Sequence, residues 1–291
     1  MAVREIEVFQ VDAFTEEPFS GNPAGVVIDG GDLPRDLRQR IAREMNCSET
    51  AFVFRYERDR FRIQYHTPEA EVDLCGHATI AALHLLRERQ DIVGDIVAET
   101  RAGILPMRID EEGPVWMRQA EPKFREVPDD ARAALLEALG LREDELQSEL
   151  PFALASTGIW QVMVPVKSRD RLFALTPDTL RLREVSRRLG AICVHVYALD
   201  PAHPSAVAVA RDFAPAVGVA EDPHTGTAAG ALACLLAHRG AVPAGEMAFE
   251  QGANLGRPGL ILARVEAGPP MRAWVGGHAV TMLRGEMRVA K

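Results

Sequence analysis

Two stretches of this 291-residue chain set acidic, hydroxyl and imidazole groups directly ahead of an apolar run. The stretch "EDPHTGTAAGALACLL", residues 221–236, opens on Glu221, Asp222, His224, Thr225, Gly226 and Thr227 and continues almost wholly in Ala, Gly and Leu. The stretch "DLCGHATIAALHLL", residues 73–86, places Cys75, Gly76 and His77 in the same position. A helix apolar nearly all round has to be buried. Its first N–H groups and the positive end of its dipole then open at one end of whatever encloses it, a place that attracts an anion. A carboxylate or an imidazole beside such a mouth is able to move protons on the bound molecule. The competing reading is plain N-capping by Thr225 or Thr227, and the sequence alone leaves both open.

The elements needed to hold these mouths are legible as alternating runs. Strands are expected at 5–14, 24–28, 50–54, 61–66, 96–100, 104–109 and 115–118, and again at 152–155, 161–166, 191–199 and 206–211. A helix opens after Pro34 and runs 35–45, another runs 77–89, and "DDARAALLEALG" reads as a helix ending at Gly140. The segment 119–130 has two prolines, many charges and no periodicity, and reads as a linker between halves. Shifting the chain by 150 residues lays Gly76 on Gly226, Ala78 on Ala228, Ala81 on Ala231 and Leu85-Leu86 on Leu235-Leu236, which suggests a duplicated unit. A helix of this kind among strands must be wrapped by the sheet, so the fold class is α/β.

Composition bounds the partners. A net charge of −9 with no Lys/Arg block argues against nucleic acid. No apolar run is long enough to span a bilayer, and the N-terminus reads as an alternating strand rather than a signal core, so no membrane partner is expected and a cytoplasmic location is. Cys47, Cys75, Cys193 and Cys234 form no C-x-x-C pair and read as free thiols. There is no G-x-G-x-x-G after a strand, no phosphate loop and no H-E-x-x-H, so nothing in the sequence contradicts a site free of metal and organic cofactor.

Six blocks in order, "VDAFTEEPFSGNPAGVV", "NCSETAFV", "DLCGHATIAA", "RDFAPAVGVAEDPHTGTAAGAL", "EQGANLGRPG" and "VGGHAV", resemble the PhzF-like isomerases of phenazine biosynthesis, whose fold is related to that of diaminopimelate epimerase. The resemblance covers essentially the whole chain. It implies two pseudo-symmetric halves, each a curled sheet around a central helix. Residues 1–118 plus about 279–291 would form the N-terminal half and 119–278 the C-terminal half, with the active site in the cleft between them. It further implies a cofactor-independent isomerisation, as of trans-2,3-dihydro-3-hydroxyanthranilate, in which a proton leaves one carbon and another carbon is reprotonated. A homodimer is implied as well.

The resemblance also carries roles onto particular residues. Glu49 in "SETAFV" matches the catalytic glutamate, His77 the active-site histidine and Asp222 the second active-site carboxylate. Adjacent Glu221 reads as structural, since one of two neighbouring side chains usually points away. Gly76, Thr225, Gly226 and Thr227 mark the mouths that would hold the carboxylate of a small anionic substrate, and Asn22 matches a motif asparagine whose other reading is a turn cap. The chain departs from the family at Thr227, where relatives carry Ser, and at His224, where they carry an apolar residue.

The rivals are an epimerase or racemase of an amino-acid-like substrate and a non-catalytic binding protein of the same fold. A two-thiol racemase is not available: Cys75 stands where one thiol would, but its counterpart is Thr225, whose hydroxyl has no anionic form near pH 7 without a strong base. A purely structural module would give no reason to gather acid, base and anion donors.

Overall fold

The computed structural model describes residues 3–28 and 33–290. The chain forms two compact units, Met1–Arg118 with Gly276–Lys291, and Gln119–Val275. Unit 1 runs β1 (Val3–Ala13), β2 (Asn22–Ile28), α1 (Arg35–Met45), β3 (Thr50–Arg55), β4 (Arg60–His66), β5 (Glu71–Val72), α2 (Gly76–Gln90), β6 (Gly94–Thr100), β7 (Gly103–Ile109) and β8 (Val115–Arg118). Unit 2 runs β9 (Lys123–Glu126), α3 (Asp129–Leu139), β10 (Ala153–Ser156), β11 (Trp160–Pro165), α4 (Arg169–Phe173), α5 (Thr179–Leu189), β12 (Cys193–Ala198), β13 (Ala206–Ala214), β14 (Val219–Asp222), α6 (Gly226–His238), β15 (Glu246–Gln251) and β16 (Gly259–Glu266). β17 (Arg272–Gly277) carries the chain back into unit 1, where β18 (Ala279–Ala290) pairs antiparallel with β1 from Val3↔Ala290 to Ala13↔Ala279.

The two units repeat one topology. In unit 1, β2 pairs parallel with β3, β3 antiparallel with β4, β4 parallel with β6, and β6 antiparallel with β7. In unit 2 the same sequence of pairings joins β11, β12, β13, β15 and β16. Each parallel pair needs a helical crossover. Unit 1 uses α1 and then α2; unit 2 uses α4 with α5 and then α6. The helices α2 and α6 are therefore equivalent, as the 150-residue shift suggests.

These two helices are the cores of their units. Nine residues of α2 are buried, His77 to Leu83 with Leu85 and Leu86, and ten of α6. The helix α1, by contrast, buries only Ile41 and Ala42, and packs with Ile6, Val8, Val27 and Phe52. In unit 2, α3 and α5 cover the sheet face that carries Val162, Val164, Val194, Val196 and Val209, and α6 contributes nothing to that cluster. Strand alternation therefore turns Gln161, Cys193 and His195 away from it.

Two segments differ from the sequence reading. The expected linker holds strand β9, paired with β10 from Lys123↔Ser156 to Glu126↔Ala153. Its Lys123, Arg125 and Glu126 are exposed, where charges are tolerated, while Phe124 stacks on His238 and Arg125 lies over the Trp160 ring. The helix α5 lies in a stretch that reading left unassigned. Asp178 caps it by accepting from the N–H groups of Leu180 and Arg181, and Gly190 ends it at φ 66°.

Small residues on α6 are a packing requirement. A Cβ at Gly230 would come within 2.7 Å of Val275 Cγ2, and Val275 is fully buried. Helix propensity favours Ala over Gly by about 1 kcal/mol, whereas overpacking a core costs roughly 1–3 kcal/mol. Gly230→Ala is expected to lower stability in denaturant unfolding, and Gly230→Ala/Val275→Ala to cost less than the sum of the single changes. Simple additivity would refute the packing account.

Candidate active site

In unit 1 the chemistry gathers where β3 begins and α2 begins. Asn46 ends α1 in the left-handed conformation at φ 52°, which turns the chain sharply into Ser48 and Glu49 before β3. The Glu49 carbonyl accepts from Gly25 N–H at 3.0 Å, tying this turn to β2. Gly25 is needed there, because a Cβ would meet Thr50 Oγ1 at 2.5 Å. Glu49 is thus presented by backbone pairing, with its side chain 21% exposed.

His77 meets it from the first turn of α2. Its Nε2 lies 3.3 Å from Glu49 Oε2 and 3.1 Å from Ser48 Oγ, and Nδ1 lies 3.4 Å from Cys75 Sγ. The imidazole is 7% exposed, and burial pushes its pKa below the ordinary value of 6.5 against the opposing pull of Glu49. It is therefore a neutral ring at neutral pH. A ring proton on Nε2 donated to Glu49 leaves Nδ1 to accept from the thiol, so all three groups are served. Glu49, Cys75 and His77 offer ligand atoms within 4.8 Å of one another, a set that would also suit a thiophilic divalent ion. Cys75 occupies the N-cap of α2, but its side chain makes no capping bond to the helix backbone. Thr79 Oγ1 instead donates to the Cys75 carbonyl and accepts from Tyr65 Oη, closing the first turn from behind.

Asn22 opens β2 opposite Ala13 and is 2% exposed. It sits on the strand that holds the Glu49 carbonyl.

The equivalent mouth in unit 2 is built differently. Asp222 ends β14, and its Oδ2 accepts from Thr225 Oγ1 at 2.6 Å. Thr225 holds the N-cap position of α6, yet its side chain makes no capping bond. The capping reading of Thr225 is therefore corrected: its hydroxyl serves Asp222 instead. Gly226 and Thr227 supply the first turn, with Gly226 buried and Thr227 partly exposed. Thr157 Oγ1 donates to the Thr227 carbonyl at 3.3 Å.

Sequence reasoning missed the residue that organises this turn. Gln251, 2% exposed, accepts from Thr225 N–H and donates from Nε2 to the Asp222 carbonyl and to Thr225 Oγ1. Its signal was a lone amide at the end of "MAFEQG", 26 residues from Thr225 in sequence. Glu221 points away as expected: Arg211 grips it through two bonds of 2.9 and 2.8 Å, and Asn254 Nδ2 donates to it at 2.8 Å. Arg211 in turn donates to the carbonyls of Leu172 and Leu175. His224 is buried beneath Gly252, where a Cβ would meet its Cε1 at 2.7 Å.

The remaining thiols are buried and free. Burial pushes the pKa of Cys47 up to about 11 and that of Cys234 up to about 12, which leaves both unreactive near neutral pH.

The family model described as phenazine biosynthesis-like protein, PhzC-PhzF, matches residues 11–285. An uncharacterized isomerase of Bacillus subtilis (strain 168), YfhB, is 36% identical, over 96% of this chain and 97% of that protein. The trans-2,3-dihydro-3-hydroxyanthranilate isomerase of Pseudomonas aeruginosa is 36% identical, over 88% and 89%. The crystal structure of the Bacillus anthracis phenazine biosynthesis protein of the PhzF family superposes with a TM-score of 0.88 at 33% identity, over 98% and 99% of the chains. No helix among the described residues is long and apolar enough to cross a membrane.

Burial of His77 has a consequence for stability. The folded protein holds this proton less tightly than the unfolded chain, whose histidines titrate near 6.5. Acidification through about pH 6.5 therefore protonates the unfolded chain first, and stability present above that pH is lost below it. His66 and His84 are lowered by burial in the same way. The thermal midpoint should fall between pH 7 and pH 5.5, and His77→Gln, which keeps a donor toward Glu49, should flatten the slope. An unchanged slope in the variant would show that His77 is not held neutral.

Proposed function

The chain belongs to the PhzC-PhzF family of phenazine biosynthesis-like proteins and is an isomerase, and we propose that it moves a proton on a small carboxylate-bearing molecule without a cofactor, with Glu49 as the base. The observation that carries this reading is the Glu49–His77 contact of 3.3 Å at the mouth of a buried helix. A carboxylate with one neutral donor against it, and otherwise partly open, is able to take a proton from carbon and keep it for return. His77 orients Glu49 and, being neutral, adds no charge that would hold the base permanently ionised.

The substrate carboxylate is assigned to the first-turn N–H groups at Gly76, Gly226 and Thr227. Two features support this: both helices start without a capping side chain, and the helix dipole favours an anion there. Asp222, held by Thr225, is assigned to the substrate's amino group or to the return of the proton. Asn22 is kept as a binding residue on the strand that carries Glu49. The relative from Pseudomonas aeruginosa acts, by its name, on trans-2,3-dihydro-3-hydroxyanthranilate. That molecule is the first substrate to test, although Thr227 and His224 reshape the second mouth.

In deuterated water with that compound, NMR should show loss of one ring proton and uptake of deuterium at another carbon. Glu49→Gln should slow this by at least about a hundredfold, the scale of a lost general base. Turnover by the native protein that survives in the variant would remove Glu49 from the role. If the native protein does not turn this compound over, the same exchange readout applied to amino and hydroxy acids identifies the substrate; exchange with none of them would overturn the isomerase chemistry proposed.

A further inference from the structure

The mouth of α2 holds one kind of group that proton transfer does not call for. Beside Glu49 and His77 stands a thiol, Cys75, two residues ahead of the histidine and 9% exposed. His77 Nε2 is 3.3 Å from Glu49 Oε2 and 3.9 Å from Cys75 Sγ, and one ligand atom from each of the three residues lies within 4.8 Å of the others. Zinc bonds to N, O and S of about 2.0–2.3 Å, spread tetrahedrally, put neighbouring ligand atoms about 3.4–3.6 Å apart. The nitrogen–carboxylate edge is already close to that length, and the other two close by rotation of the Cys75 and Glu49 side chains. Among the described residues no other three His, Cys, Asp or Glu side chains converge in this way. Unit 2 has a second histidine–carboxylate pair, His195 Nδ1 at 2.8 Å from Asp212 Oδ1 across β12 and β13, but both side chains are 0% exposed. Glu49, at 21% exposed, opens its own cluster to solvent.

The protons of this cluster are placed to give way to an ion. His77 is a neutral ring, because burial outweighs the pull of Glu49, and its Nδ1 faces the thiol at 3.4 Å. As an ion enters, the thiol proton passes to Nδ1 and the Nε2 proton leaves for solvent. A thiolate and the Nε2 lone pair are thereby freed together, with one proton released, and Nδ1–H then donates back to the sulfur. The carboxylate and the thiolate balance the two charges of the ion, so no net charge is buried. Thiolate and imidazole select a thiophilic ion, whereas Mg2+ and Ca2+ call for oxygen ligands. With three protein ligands a fourth position stays open, to water or to Ser48 Oγ, which lies 3.1 Å from Nε2.

We propose that Glu49, Cys75 and His77 form a site for one divalent ion of the zinc class, and that the bound ion arrests proton transfer by occupying Glu49. The ion acts here as an inhibitor, not as a cofactor. It bonds the carboxylate that would otherwise take the proton from carbon, and it holds His77 on the metal instead of on Glu49. The mouth of α6 has no such site, because Thr225 stands at its N-cap where α2 has Cys75 and supplies no sulfur ligand. The arrest rests on the reading of Glu49 as the base; the binding of the ion does not.

The site is tested by titrating untagged, chelator-treated protein with Co2+. One ion per chain should bind, giving a thiolate-to-cobalt charge-transfer band in the near ultraviolet and the intense visible bands of a four-coordinate ion, and Zn2+ should displace it. Cys75→Ser should lose the charge-transfer band. That variant and His77→Gln should each bind Zn2+ at least about tenfold more weakly, the least that even an outer partner of a metal ligand is worth. Bands that persist unchanged in Cys75→Ser overturn the site. So does a Zn2+ ligand shell without sulfur in X-ray absorption of the native protein, a measurement that needs no variant to fold. In the exchange assay, Zn2+ filling the site should slow deuterium uptake by at least about a hundredfold, as for a lost general base, and a chelator should restore it. An excess of Mg2+ should leave the rate alone, and Cys75→Ser, compared with its own metal-free rate, should need at least about ten times more Zn2+. Undiminished exchange by protein whose site is filled overturns the arrest together with the role of Glu49 as base, while the metal site stands.

Discussion

Everything in this fold follows from two helices with no polar side to offer water. Between their polar leads and tails, α2 and α6 are built of Ala, Leu, Ile and Gly with only Thr79, His84 and Cys234 besides, and burial of their middle turns leaves the termini as the main places where polar groups remain. A helix interior satisfies its own backbone; its first turn does not. Enclosing such a helix in strands therefore produces one electropositive, hydrogen-bond-rich spot per unit. The small residues that permit enclosure are part of the same constraint. Gly230 lets α6 approach Val275, and Gly25 lets β2 approach Thr50.

What surrounds each mouth is arranged so that side chains serve reactive groups before they serve the helix. Thr225 sits at an N-cap, where a hydroxyl commonly stabilises the helix by about 1 kcal/mol, yet its hydroxyl goes to Asp222. Cys75 at the other N-cap lies against His77. The adjacent acids Glu221 and Asp222 are parted by Arg211, which holds Glu221 and three carbonyls at and just after the end of α4, while Asp222 meets Thr225. This is the pattern expected where local stability has been given up for a site.

Much of this was legible in the sequence because it is local. The bounds of α1 and β8 match the reading, and the starts of α2 and α6 fall within a residue of it. Period and punctuation specify such elements, and the 150-residue shift pointed to a topology that the strand pairings repeat. The losses were non-local or weakly patterned. β9 carries exposed charges, so its composition imitates a linker. Gln251 and the pair His195–Asp212 acquire meaning only through strand register, which joins residues 26 and 17 positions apart. A lone Gln or His in an apolar strand announces that it needs a partner without saying which. Glu49 and His77 are 28 positions apart and were linked by family resemblance, not by spacing.

The duplicated topology makes the difference between the two mouths the informative part. Unit 1 sets a carboxylate against a neutral imidazole and a thiol; unit 2 sets a carboxylate against a hydroxyl and an amide, with the buried pair His195–Asp212 on the neighbouring strands. Two copies of one backbone would carry equal groups at equivalent helix mouths unless their side chains were made to differ. The same fold, with a handful of residues changed around the helix mouth, is thereby able to present two carboxylates in different hydrogen-bonding surroundings.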